Sequence, residues 1–430
     1  MKWIITSLFI ISTFCSHAQI FKKILDKTKQ KTEERISEKI SEKASDAASK
    51  PIDDVTTKKE GKKSAKTEEN TSAIPGNSKE EKKSLSTYSK YDFVPGEKIL
   101  VYEDFSQDAI GDFPDKWNTN GSGEIVNVKG EIGKWLKINK KGRFIPEFIN
   151  KLPENFTLQF DLICNENFSF YSDPFSLMLL SGATGKAFEY SFIIYEKRSG
   201  VKIDLHPHNA GNNGGSAQIE TFQDGERLIN NDLQTTQFNA VNGNTKIRVS
   251  IWRQKQRIRV YLNEEKVFDL PRAFAPGKDY NLALFELANG MSKDNDQYLF
   301  GNIKLAVGTP DTRSKLITEG KFVTSGILFD VNSDKIKPES FGVLKDIASV
   351  LKENLTVKIK IVGHTDSDGD DQANMELSKK RSASVKMALV KEFGITEDRI
   401  VTDGMGERQP VTNNNSPEAK ANNRRVEFIK

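Results

Sequence analysis

Within the stretch Ile361 to Arg381, IVGHTDSDGDDQANMELSKKR, an aspartate and an arginine have the types and spacing to hold a zwitterion. Val357, Ile359 and Ile361 alternate with lysines, which predicts a strand over 357–362, and the pattern breaks at Gly363. His364, Thr365 and Asp366 follow, then an acidic loop, then a predicted helix over 374–393. Asn374, Ser378 and Arg381 share one face of that helix, at steps of four and three. A strand end carrying Asp366 and a helix carrying Arg381 can bring one anion and one cation to a single cleft. Such a pair suits a ligand with an ammonium and a carboxylate on one carbon. The guanidinium fork takes the carboxylate and the aspartate takes the ammonium. Without a ligand, Arg381 reads as a helix-surface arginine and the loop as a solvated rim.

These residues belong to a longer pattern: Phe329-Asp330, Gly363-His364-Thr365-Asp366, Asn374, Leu377-Ser378, Arg381, Gly404-Met405-Gly406 with Pro410, and Asn423-Arg424-Arg425-Val426. In that order and spacing they resemble the peptidoglycan-binding domain of the OmpA-like family, over about residues 320–430. The resemblance implies that Asp366 and Arg381 hold the diaminopimelate residue of the peptidoglycan stem peptide. Asn374, with Thr365 and backbone amides near Phe329, would orient the peptide. Of Arg424 and Arg425, one supports Asp366 or the sheet and one faces the glycan; Arg425 is placed among the ligand residues. The implied fold is an α/β domain of βαβαββ type, its helices packed on one mixed sheet.

The elements that must position the pair are legible around it. Lys321 to Phe329 reads as a strand, and Pro338 opens a helix whose apolar face is Phe341, Leu344, Ile347, Ala348 and Leu351. Val385 and Leu389 are core contacts of the 374–393 helix. Arg399 to Thr402 is a strand, Ser416-Pro417 caps a short helix running to Asn423, and Val426 to Ile429 closes the sheet. Asp366, Asp368 and Asp370 are spaced like the start of a calcium loop. An EF-hand, however, needs Gly where Asp371 stands and Glu where Leu377 stands, so no metal is expected.

The chain has 430 residues, 36% hydrophobic and 29% charged, with a formal net charge of +4 at pH 7. Length allows two to three domains, and the charge balance gives no argument for nucleic acid. Residues 1–18 read as a secretory signal peptide, with Lys2, an apolar run from Trp3 to Phe14 and a Ser16-His17-Ala18 cleavage site. The run is short of the about 20 apolar residues of a span. A periplasmic location, associated with cell wall and outer membrane, follows as the expectation. Cys15 falls in the leader, which leaves Cys164 without an intrachain disulfide partner. Residues 19–50 carry a thin apolar stripe at helical spacing, with lysines that leave contact of residues 20–31 with an anionic membrane surface open. Residues 51–90 are Lys, Glu, Ser, Thr and Asn with two prolines; such a segment cannot offset its ordering entropy and is expected to be a disordered linker.

From Tyr91 to 308 aromatics return in short alternating runs. Leu158, Phe160, Leu162 and Cys164 form one inward set, Ile247, Val249 and Ile251 a second, and Ile258, Val260 and Leu262 a third, predicting an antiparallel β-sandwich. An outer-membrane β-barrel is the alternative. Arg248, Arg257 and Arg259 on the opposite face argue against it, since a lipid-facing Arg costs about 2–4 kcal/mol. The segment is also similar to concanavalin-like (laminin G-like) jelly rolls, on Asp104-Phe105-Ser106, Gly111-Asp112-Phe113-Pro114, Trp117 and the hairpin 247–271. That similarity implies a glycan or protein ligand for the sandwich. It leaves a glycan hydrolase as the rival function, although no paired-carboxylate strand is present. A stator-like motor protein, which has a similar C-terminal domain, would need an acid in its apolar run. His206-Pro207-His208 reads as a surface turn. The resulting expectation is a non-enzymatic envelope protein, without cofactor, that ties a β-sandwich at 91–308 to the cell wall through residues 311–430.

Overall fold

The computed structural model describes residues 91–430 apart from 183–186, 189–196, 212 and 309–311. The expected leader, charged helix with its membrane contact, and linker lie outside the described residues.

Among the described residues fifteen strands precede residue 308: β1 (Lys98–Glu103), β2 (Trp117–Thr119), β3 (Gly123–Asn127), β4 (Lys134–Ile138), β5 (Gly142–Pro146), β6 (Asn155–Cys164), β7 (Phe175–Ser181), β8 (Gly200–Asn209), β9 (Gly214–Gln223), β10 (Glu226–Thr235), β11 (Lys246–Gln254), β12 (Arg257–Leu262), β13 (Glu265–Leu270), β14 (Tyr280–Leu287) and β15 (Tyr298–Val307). They form two antiparallel sheets. One runs β13-β12-β11-β6-β15-β4-β3, with β1 added against β15; the other runs β10-β9-β8-β7-β14-β5-β2. The alternating inward sets meet in register, Leu158 opposite Ile251, Phe160 opposite Val249 and Leu162 opposite Ile247. Aromatic contacts then join the two sheets: the Phe285 and Phe300 rings lie 5.0 Å apart, and Phe160 and Phe175 lie 5.9 Å apart. Two separate sheets on a filled core, each with its own edges, are not a closed barrel, so the membrane-barrel alternative does not describe this fold.

Cys164 points into this core and is 3% exposed. Burial pushes its thiol well above the usual range, and the thiolate is the reactive form. A thiol reagent such as iodoacetamide should therefore modify Cys164 only under denaturing conditions. Rapid labelling of the native protein, read by mass spectrometry, would contradict this.

The opposite, polar face of the larger sheet was expected to be outward-facing; it is covered instead. Thr157, Gln159, Asp161 and Ser250 are buried there. Tyr91 and Phe93 lie over Tyr261, the Phe93 and Tyr261 rings 5.4 Å apart, with Trp252 at their edge. Polar side chains on a buried face must pair. Arg248 accordingly donates to both oxygens of Asp161 at 2.7 and 2.8 Å. His206 and His208 also differ from the expected turn, lying within β8. Each ring gives one nitrogen to a carbonyl of the 168–172 loop, Ser172 and Phe168, both at 2.7 Å.

The cover is the rest of the chain: β16 (Lys321–Thr324), α1 (Phe341–Glu353), β17 (Ile359–His364), α2 (Asp371–Lys391), β18 (Ile400–Gly406), α3 (Pro417–Asn423) and β19 (Val426–Ile429). The sheet order is β16-β19-β17-β18, with β17 and β18 parallel and the other pairs antiparallel. Helix α1 buries Leu344, Ile347, Ala348 and Leu351 as its spacing predicts. The first strand stops at Thr324, short of Phe329, which instead forms an isolated bridge with Ile336. Helix α2 starts before Asn374 because Asp370 caps it, accepting from the Ala373 amide at 2.9 Å. The two regions interlock: the Asn422 side chain on α3 both accepts from and donates to the Ile99 backbone of β1, each at 3.1 Å. No described helix is long and apolar enough to cross a membrane.

Candidate functional site

Helix α2 approaches the sheet through a buried polar face, Asn374, Ser378 and Ser382, rather than a leucine stripe. Two glycines permit the approach. A Cβ on Gly363 would meet the Ser378 carbonyl oxygen at 2.3 Å, and one on Gly404 would meet the Ser378 hydroxyl at 2.4 Å. Ser378 also accepts from the Gly406 amide at 2.9 Å. This packing sets the strand end at Asp366 beside the helix face that carries Arg381.

Asp366 is 8% exposed. One of its oxygens accepts from the Asp368 amide at 3.2 Å, and the other takes the guanidinium of Arg424. A carboxylate has about four acceptor positions, so this pairing leaves capacity for an ammonium. Arg381 stacks over the Phe329 ring at 4.9 Å and spends only Nε, which donates to the Ser333 carbonyl at 3.0 Å. Its two terminal nitrogens make no hydrogen bond or ion pair with any described residue. Burial lowers Arg381's hold on its proton, and the Asp366 charge opposes that effect.

Arg381, Arg424 and Phe329 line a cavity of about 160 Å³ together with Gly363 and His364 and with Tyr102 and Lys304 of the β region. Asp366 is not part of this lining and meets it through its ion pair with Arg424. The pair read from the sequence is thus a group of three, in which Arg424 is the immediate partner of Asp366.

The other expected residues take supporting places. The Asn374 amide donates to Glu407 at 2.7 Å and to the Asp368 carbonyl at 3.1 Å, bracing the loop. Thr365 is buried; its amide donates to Gly406 at 2.9 Å, and its hydroxyl has no partner among the described residues. Arg425 is buried on Glu427 at 2.8 Å and donates to the Gln409 carbonyl, which ties the last strand, and it also lines the cavity with Arg381 and Arg424. The acidic loop is tied up as well, Asp368 by Lys420 at 2.7 Å, Asp371 by Arg408 at 2.9 Å and Asp370 by its cap. Among the described residues no cluster of three or more His, Cys, Asp or Glu side chains could hold a metal.

Sequence reasoning missed Tyr102 and Lys304. The two sit opposite each other on β1 and β15. The one available signal was a lysine inside an otherwise apolar strand, YLFGNIKLAV, and it does not say what lies across from it.

Comparison with known proteins matches the OmpA family model to residues 328–424. The chain is 33% identical over 165 residues to the outer-membrane lipoprotein YfiB of Pseudomonas aeruginosa, covering 37% of this chain and 97% of that protein. It is 40% identical over 104 residues to the probable lipoprotein YiaD of Escherichia coli, where it spans 47% of that protein, under half its length. Among solved structures, the peptidoglycan-associated lipoprotein of Burkholderia pseudomallei is 27% identical with a TM-score of 0.23, over 24% of this chain and 86% of that one.

Proposed function

This chain belongs to the OmpA family, and from that we propose that it is a non-enzymatic cell-envelope protein that binds peptidoglycan without a covalent bond. Residues 311–430 are the binding domain and residues 91–308 a jelly-roll-like module tied by it to the cell wall, on the periplasmic side of the outer membrane. The ligand group is the zwitterionic end of diaminopimelate in the stem peptide. Its carboxylate takes the two terminal nitrogens of Arg381, and its ammonium takes Asp366 alongside Arg424. Asn374 and Arg425 act by holding the loop and the last strand in place. The observation that carries this reading is Arg381, a guanidinium with its fork unspent on the wall of a cavity beside an aspartate.

The β region supports a binding role over a hydrolytic one. Of its buried carboxylates, Asp161, Asp204, Glu220 and Glu286 are ion-paired, to Arg248, Lys202, Arg227 and Arg143, and Asp296 accepts hydrogen bonds from the Ser169 amide, the Ser172 hydroxyl and the Asn165 side-chain amide. Carboxylates committed to such partners are occupied, and among these contacts no two of them are set facing each other as a free acid and nucleophile pair would be.

The direct test is co-sedimentation of the full chain with insoluble peptidoglycan, in competition with a soluble diaminopimelate stem peptide. Saturable pelleting that the peptide reverses is the expected result. Pelleting that the peptide leaves untouched would remove diaminopimelate as the ligand group.

A further inference from the structure

We propose that the β region supplies a third cation to the ligand site: Lys304 takes a carboxylate of an acidic peptide that the Asp366–Arg381 end does not hold. The chain would then bind a stem peptide with free carboxylates in preference to an amidated one. The inference rests on the peptidoglycan reading above and adds a determinant from outside the segment that matches the family.

Lys304 lines the same cavity as Arg381 and Arg424, and among the described residues its Nζ has no hydrogen bond or ion pair. Lys304 is half-buried, an ammonium that loses part of its hydration without a partner is costly, and the surroundings add to the cost. Burial, then the charges of Arg248 and Arg424, push its pKa down to about 8, against the weaker pull of Asp161 and Glu339. Charge counting points the same way. In the lining of the smaller cavity, Asp366 answers Arg424 and Glu427 answers Arg425, which leaves Arg381 and Lys304 as its cations without carboxylates. One zwitterionic end supplies a single carboxylate, so the second cation calls for another.

The shape accommodates it. The cavity shares Tyr102, Lys304, Leu328 and Phe329 with a larger cleft of about 570 Å³ between the two regions. That volume is in the range of small-molecule sites, and Lys304 stands where the two meet. Along the larger cleft, Trp135 Nε1 and Gln159 Oε1 are a buried donor and acceptor without partners among the described residues. Both are groups that a peptide backbone can satisfy.

The test is isothermal titration of the full chain with the diaminopimelate tripeptide of the peptidoglycan stem, and with the same tripeptide carrying its glutamate carboxylate as the amide. Lys304→Met should weaken the free tripeptide about tenfold or more, the effect of one charge-assisted hydrogen bond. It should also erase the preference over the amide, while Lys304→Arg keeps both. Because methionine removes an unpaired half-buried charge, Tm should hold or rise, a combination that simple loss of packing cannot produce. The proposal is overturned if Lys304→Met titrates as wild type while Arg381→Ala loses binding, or if weaker binding comes with a lower Tm. If Arg381→Ala itself binds as wild type, the peptidoglycan reading fails first and takes this inference with it.

Discussion

Replacing Arg381 by alanine should cost the chain at least about thirtyfold in affinity for a diaminopimelate stem peptide, with the fold intact. The estimate follows from what the side chain gives up. Internally it makes one hydrogen bond, to the Ser333 carbonyl, and one ring contact, with Phe329, so folding depends on it little. Bound to a carboxylate, it would lose a two-pronged charged contact in a half-buried cavity, a change worth about 2–5 kcal/mol. Asp366→Asn should match it by a different route. The amide keeps the shape but surrenders the charge, leaving Arg424 and Arg381 in the same cavity wall with no anion. Asp368→Ala is the control, since that carboxylate is exposed and meets only Lys420; its titration should overlay wild type. Isothermal titration with circular dichroism on each variant separates binding from folding. Wild-type affinity in both Arg381→Ala and Asp366→Asn would remove the site.

The second large effect is on stability. Glu427 sits on the last strand between Arg425 at 2.8 Å and Lys321 at 2.7 Å, with the His364 ring at 3.6 Å. Burial by itself would raise its pKa, but contacts from His364, Lys321 and Arg425 reverse that and hold the carboxyl well below the usual range. By geometry the two cations matter most, since 3.6 Å is beyond a hydrogen bond. Glu427→Ala strands the guanidinium of Arg425, which is 5% exposed, and should cost about 3–5 kcal/mol. The pH dependence has a definite sign. The folded pKa lies below the unfolded value of about 4.3, so the unfolded chain binds more protons in that window. Glu427 therefore contributes its full stabilisation above about pH 4.3 and loses it as the pH falls toward the folded value. Urea unfolding between pH 7 and 3 should show wild type weakening at the acid end more steeply than Glu427→Ala. Parallel curves would mean that Glu427 is not the linked group.

Much of the C-terminal region was legible because its signals are local. The alternation at 357–361 and the apolar face of α1 at 341–351 each report one side of one element, and the structure builds both elements there. Helix α2 started earlier than expected because Asp370 looked like one more loop carboxylate, and only its geometry at Ala373 marks it as a cap. Which of two adjacent arginines turns to Asp366 could not be read at all. Both lie between α3 and β19, Arg424 at the helix end, so the side each faces depends on how the chain leaves α3 to enter the sheet.

The sequence by itself determined that Asp366 and Arg381 are borne on adjoining elements, a strand end broken at Gly363 and the helix after it, and that a β region of alternating strands precedes them. Only the tertiary structure decided that the arginine-rich face of that region turns toward the cavity of Arg381 and Arg424 and brings Tyr102 and Lys304 to its wall. The reason is physical. Alternation tells which residues share a face of a sheet, whereas what covers that face is set by packing between segments far apart in the chain, and no periodicity within a strand encodes it.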